Sequence, residues 1–196
     1  NNAIADPSVR IFAQHLDSDV GKVMRVRDDG GIPPDNPFVG KDEANGQVFT
    51  YGQRNVTDFA WHPETGELWT TEVAPMGGDE INVLRAGRNY GWPLVSLGKN
   101  YNRKELSDNH WYLPGMEMPV MYWTPSISPS TLTWYSGEKL APWKGHLFVG
   151  ALNGQTLLRV CDLKHLQLMM RVPEAQIHQV KVGQIAQVRI DAFPNQ

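Results

Sequence analysis

Three carboxylates and a pair of glycines crowd one short stretch of the chain: Glu72, Ala74-Pro75, Gly77-Gly78 and Asp79-Glu80. Two glycines let the backbone turn its carbonyls towards a common point. Glu72, Asp79 and Glu80 add hard carboxylate oxygens beside them. Carbonyls and carboxylates on a flexible loop suit Ca²⁺, which takes roughly six to eight oxygen ligands. A solvated turn ahead of a strand accounts for the same spacing, and the EF-hand pattern is not present. His110, His146, His165 and His178 show no metal-ligand spacing. His62 sits in a His-Pro turn and reads as a loop residue.

The elements that must carry this loop are strands. Thr57 to His62 is a short aromatic-rich run, Pro63-Glu64-Thr65-Gly66 supplies turn chemistry, and Glu67 to Thr71 returns. The acidic loop follows and Ile81 to Leu84 is the next strand, closed by Gly87-Arg88-Asn89-Tyr90-Gly91-Trp92-Pro93. Upstream, Arg10 to Leu16 reads as a strand or one helical turn. Gly21 to Arg27 alternates apolar and basic side chains as a half-buried strand does, and Gln47 to Tyr51 is another strand. Downstream strands are expected at Pro119–Trp123, Thr131–Tyr135, His146–Ala151 and Thr156–Cys161, with Asn153-Gly154 as a hairpin turn. No stretch has sustained helical periodicity. Short strands with Gly/Pro turns at this spacing make an all-β sandwich, barrel or propeller.

Composition narrows the function classes. The 196 residues carry a net charge of −3 with 41% hydrophobic content, ordinary for a globular chain. There is no basic stripe for nucleic acid, and no apolar run approaches the ~20 residues of a membrane span. The N-terminus lacks a signal-peptide pattern, which fits a cytosolic protein or one whose signal has been removed. The single Cys161 excludes an internal disulfide and reads as a core residue.

The stretch Tyr51-Gly52-Gln53-Arg54-Asn55, His62-Pro63-Glu64-Thr65-Gly66-Glu67-Leu68-Trp69, Thr71-Glu72, Pro75, Gly77-Gly78-Asp79-Glu80-Ile81-Asn82 and Asn89-Tyr90-Gly91-Trp92-Pro93 resembles the soluble quinoprotein sugar dehydrogenases. This is the glucose/sorbosone, or aldose sugar, dehydrogenase family. Gly21-Lys22-Val23-Met24-Arg25, Ile32-Pro33-Pro34-Asp35-Asn36-Pro37-Phe38 and the block from Trp123 to Arg159 extend the resemblance over about residues 17–161. The family implies a six-bladed β-propeller, of which this span makes roughly three blades at four strands each. It also implies pyrroloquinoline quinone (PQQ) and Ca²⁺ as cofactors, an aldose as substrate, oxidation of its anomeric carbon to a lactone, and a periplasmic or secreted location.

Carried over residue by residue, the resemblance implies that Arg54 and Asn55 touch the cofactor. Arg can grip quinone carboxylates as a planar fork, or simply hold a blade loop. Ser126 matches a small hydroxyl position near the cofactor. Asn153 falls where a cofactor-binding Lys is usual. Glu72, Ala74, Pro75, Asp79 and Glu80 form the expected metal set. Departures are visible: Gln53 stands for a usual His, and Val73-Ala74 for His-Gly. If that Gly needs positive φ, Ala74 is strained. The family's catalytic His lies upstream of the Gly21 strand in a His-x-Gly-Gly segment, and His15 has no such setting. No catalytic residue is therefore assigned, and the chain is expected to be nearly inactive alone. A non-catalytic, possibly oligomeric scaffold is the alternative.

From Asp162 the text changes. Val172-Pro173-Glu174, Gly183-Gln184 and Asp191-Ala192-Phe193-Pro194 resemble the barrel domain of periplasmic adaptor (HlyD-type membrane fusion) proteins. The expected organisation is a partial propeller over 1–161 and an adaptor-like β-hairpin over 162–196. Half a propeller leaves open edges, so a second copy, another chain or the tail is expected to cover them.

Overall fold

The computed structural model describes residues 7–106, 112–152 and 157–160. The adaptor-like segment, Cys161, Asn153 and His110 lie outside the described residues. The chain opens with one helical turn, α1 (Pro7–Arg10), continued by a 3₁₀ turn at Ile11–Gln14. Strands follow: β1 (Lys22–Met24), β2 (Val48–Tyr51), β3 (Val56–Trp61), β4 (Leu68–Glu72), β5 (Asp79–Leu84), β6 (Met121–Trp123), β7 (Pro129–Trp134), β8 (Leu147–Ala151) and β9 (Leu157–Val160). Strand β1 is shorter than its alternating pattern suggests, because Arg27 turns back to accept from Gly30 and donate to Gly31.

The strands form three antiparallel sheets in chain order: β1–β2, the meander β3–β4–β5–β6, and β7–β8–β9. Within each sheet every strand pairs with its sequence neighbour, although β5 and β6 meet only across the long 85–120 connection. The β3–β4 turn is built as the sequence predicts. Gly66 takes φ +69°, and His62 Nδ1 accepts the amides of Glu64 and Thr65 at 3.2 Å.

Successive sheets pack face to face. On one side of the meander, buried Trp69 and Ile81 meet Leu132, Leu147 and Val149 of the following sheet. On the other, Leu84 and Tyr90 pack with Val23 of β1, with Phe49, Val56 and Leu68 against them. Strands buried on both faces cannot simply alternate in hydropathy, and β4 accordingly has four consecutive buried residues, Trp69 to Glu72. The first strands of adjacent sheets are also tied by a charge. Asp58 Oδ2 accepts the Leu132 amide at 2.7 Å, while its Oδ1 accepts the Phe59 amide at 2.8 Å.

The antiparallel order decides where the chemistry collects. The start of β3, the end of β4, the start of β5 and the end of β6 all lie at one end of the meander. The connections 52–55, 73–78 and 124–128 therefore gather there.

Candidate functional site

The acidic stretch does not remain a loop through Glu80. Strand β5 begins at Asp79, and Glu80 is the direct cross-strand partner of Glu72. Side chains of such partners share one face of a sheet, and two carboxylates placed so repel one another. Glu72 is 6% exposed. Its Oε1 accepts the Arg54 amide at 2.6 Å, whereas Oε2 is buried with no protein partner. Burial first, and Glu80 second, push Glu72 up to about 8; burial also raises Glu80, to about 7, against the pull of the Asn82 amide at 2.9 Å. A buried and a half-buried acid, both with pKa values raised towards neutrality, form a site that a cation would relieve.

Asp79 behaves differently. It is fully buried. Its Oδ1 accepts the Ala74 amide at 2.8 Å, and its Oδ2 accepts Ser126 Oγ at 2.7 Å and the Ile127 and Ser128 amides at 2.8 and 2.9 Å. Three donors crowd Oδ2 and one occupies Oδ1, so the fold's own donors take up most of the roughly four acceptor positions of this carboxylate. Among the described residues, no three His, Cys, Asp or Glu side chains converge as a metal-holding group. Asp79, which the sequence reading places among the metal ligands, is thus engaged chiefly with the protein's own donors.

Ala74 and Pro75 are both buried beside this carboxylate. Ala74 is not among the residues with positive φ, so its replacement of Gly carries no backbone strain. The positive φ falls instead on Gly77 (+104°) and Gly78 (+76°). A Cβ on Gly78 would stand 2.5 Å from the Gly98 nitrogen, and one on Gly77 would meet Thr124. The glycine pair is needed for close packing of three connections as much as for its own dihedrals.

Arg54 reaches this end from the 52–55 connection. One guanidinium NH2 donates to the Val73 carbonyl, the other lies 3.4 Å from Tyr101 Oη, and the group sits 5.6 Å from the Trp92 ring centroid. Its Nε is buried without a protein partner. No carboxylate among the described residues lies within ion-pair distance of its guanidinium; burial lowers its pKa, and Arg10, also 5.6 Å from Trp92, lowers it further. Asn55 accepts the Val73 amide through its carbonyl at 3.0 Å, which ties the same two connections. His15 stacks edge-on with Phe12, and His62 caps the turn at the far end of β3.

The structure therefore brings Arg54, Asn55, Glu72, Ala74, Pro75, Asp79, Glu80 and Ser126 to one end of one sheet. Three contributors escaped the sequence reading. Trp92 lay in a quoted motif with no role, Tyr101 gave no signal, and Asp58 passed as one residue of an expected strand. A charged residue at an inward position of an aromatic strand was the available clue to Asp58.

The family model described as Glucose / Sorbosone dehydrogenase matches residues 3–191. That match runs past position 162, and nothing in the comparisons supports the adaptor-like resemblance of the tail. Among curated relatives, the chain is 38% identical over 157 residues to the aldose sugar dehydrogenase YliI of Escherichia coli, covering 80% of this chain and 42% of the relative. Among solved structures, a glucose dehydrogenase superposes with TM-score 0.77 at 36% identity, over 81% of this chain and 46% of the other. The PQQ-bound aldose sugar dehydrogenase of Streptomyces coelicolor superposes with TM-score 0.56 at 28% identity, over 76% of this chain and 37% of the other. These neighbours are β-propeller proteins. The chain spans less than half the length of the relatives it matches.

Proposed function

Because the chain belongs to the glucose/sorbosone dehydrogenase family, we propose that it forms the cofactor-holding part of a PQQ-dependent aldose dehydrogenase. The observation that carries this reading is Arg54, a desolvated guanidinium with no ion-pair partner among the described residues and an orphaned Nε. A half-buried cation without an ion-pair partner gains from an anionic ligand that completes it. The tricarboxylate PQQ has the chemistry to do so, and the orphan donor fits it.

Arg54 would hold a carboxylate in its fork, with Asn55, Ser126 and Asn153 as further polar contacts. Glu72 and Glu80, with the Ala74 and Pro75 carbonyls, would hold Ca²⁺; the unpartnered Glu72 Oε2 fits that ion. When bound, PQQ supplies the hydride acceptor for the anomeric carbon of the sugar, and Ca²⁺ polarises it. Val73 and Trp92 keep the guanidinium in one orientation, so its charge is placed before the ligand arrives. His62 caps the turn at the far end of β3 and His15 packs edge-on against Phe12, and neither is assigned as the group that takes the sugar hydroxyl proton. We assign the reaction to the closed propeller, in the periplasm or outside the cell. The chain by itself turns over little.

The test is a calorimetric titration of PQQ into the Ca²⁺-loaded chain. Saturable binding, weakened about 30-fold or more in Arg54→Ala, supports the reading. No binding heat leaves the propeller as architecture alone.

A further inference from the structure

We infer that Asp79 is a positioning residue: its carboxylate locks the 73–78 connection to the 124–128 connection and so sets Ala74 and Ser126 at the cofactor-holding end. The first half of this inference stands on geometry, and the second rests on the function proposed above.

One carboxylate joins two connections that are far apart in sequence. From the first it takes the Ala74 amide; from the second it takes the Ser126 hydroxyl and the Ile127 and Ser128 amides. Charge-assisted bonds to a buried carboxylate are stronger than neutral ones. The second connection is also bent in a way that needs holding. Ser128 sits at φ +52°, a region that non-glycine residues rarely occupy unless their surroundings fix them. Its amide is held by Asp79 and by Ser126 Oγ at 3.2 Å. A parallel stitch lies next door, where the Gly78 amide donates to the Trp123 carbonyl at 2.7 Å and to Thr124 Oγ1 at 3.0 Å. Thr124 Oγ1 in turn donates to Leu97 at 3.1 Å. Asp79 supplies the charge in this stitching, and it is the one acid of the three with a protein donor on each oxygen.

The isosteric variant exposes the role. In Asp79→Asn one oxygen becomes an NH₂ group. It must face either the Ala74 N–H or the cluster of donors from 126–128, so donor meets donor in both orientations.

The experiment is residue-resolved hydrogen exchange on the metal-free chain, followed by PQQ titration monitored by tryptophan fluorescence. In the wild type the Ala74, Ile127 and Ser128 amides are expected to be protected. In Asp79→Asn at least one side of the clamp opens, with exchange about 10-fold faster or more, while the β4–β5 ladder keeps its protection. Asp79→Asn and Ser126→Ala each weaken PQQ binding, and the double variant is no weaker than Asp79→Asn alone, because a released Ser126 no longer contributes. Free-loop exchange of Ile127 and Ser128 in the wild type overturns the clamp even if no variant folds. So does loss of their protection on adding Ca²⁺, which would mean that the carboxylate turns to the metal. Additive effects on PQQ affinity overturn the positioning role. If wild-type chain binds no PQQ, the proposed function fails while the exchange result still decides the clamp.

Discussion

The Glu72–Glu80 pair makes a prediction with a definite sign. Both carboxyls have folded-state pKa values above the ordinary carboxylate range, Glu72 at about 8 and Glu80 at about 7. A raised carboxyl contributes its full share to stability below the unfolded pKa near 4.5, and loses it as pH climbs through the folded value. Without metal, the chain should therefore grow less stable from about pH 5 to pH 9. For Glu80 the rise from 4.5 to about 7 corresponds to about 3 kcal/mol. Glu80→Gln removes the like charge opposite Glu72 and keeps an oxygen to accept from Asn82. At pH 9 the variant should melt about 5–10 °C above the wild type, since about 1 kcal/mol moves Tm by roughly 2–4 °C in a domain of this size. At pH 5 the two should coincide. Circular dichroism melts at pH 5, 7 and 9 in chelator measure this. Added Ca²⁺ should flatten the wild-type slope and leave the variant nearly unaffected. A wild-type Tm that is flat or rising across this range, with or without the substitution, refutes the reasoning.

Other consequences are simpler. Asp58→Ala leaves the Leu132 and Phe59 amides without their acceptor, and should destabilise by about 2–3 kcal/mol, read from the denaturant midpoint. Two glycines at similar φ should respond differently to alanine. Gly66→Ala meets nothing within 4 Å and should lose only about 1 kcal/mol from its dihedral. Gly78→Ala drives a Cβ into the Gly98 backbone and should lose at least about 2–3 kcal/mol, together with the packing of the 96–98 segment.

How much of this was legible beforehand depends on the range of the interaction. The β3–β4 hairpin was readable because Pro63 to Gly66 encode their own turn and the flanking runs suit strands. The start of β5 was not, because Asp79 and Glu80 look like loop residues until the partners of their oxygens are known. Ala74 looked strained by comparison with a family glycine, yet the positive φ lies at Gly77 and Gly78. The convergence of Arg54 with Trp92 and Tyr101 depends on the path of the 85–120 connection, which local propensity does not encode. Burial on both faces, which makes β4 four residues deep in the interior, likewise follows from the stacking of sheets.

The three acids of one short stretch show why residue type alone under-determines a site. Asp79, Glu72 and Glu80 would be interchangeable as oxygen donors on paper. Asp79 meets four donors and is satisfied by the fold itself. Glu72 has one oxygen satisfied by the Arg54 amide and one facing no donor, with a second acid across the ladder. A fold selected only for stability gains nothing from that second arrangement, because replacing either glutamate by its amide relieves the repulsion. Natural sequences depart from such local consistency chiefly at functional sites. The unpaired Arg54 Nε beside the same connection is a departure of opposite sign. An orphan acid oxygen and an orphan cationic donor share one end of the sheet, yet the guanidinium is turned to Val73, Tyr101 and Trp92 rather than to Glu72. On the function proposed above, that separation leaves one group for a cation and the other for an anion, which a metal-bound organic acid would satisfy together.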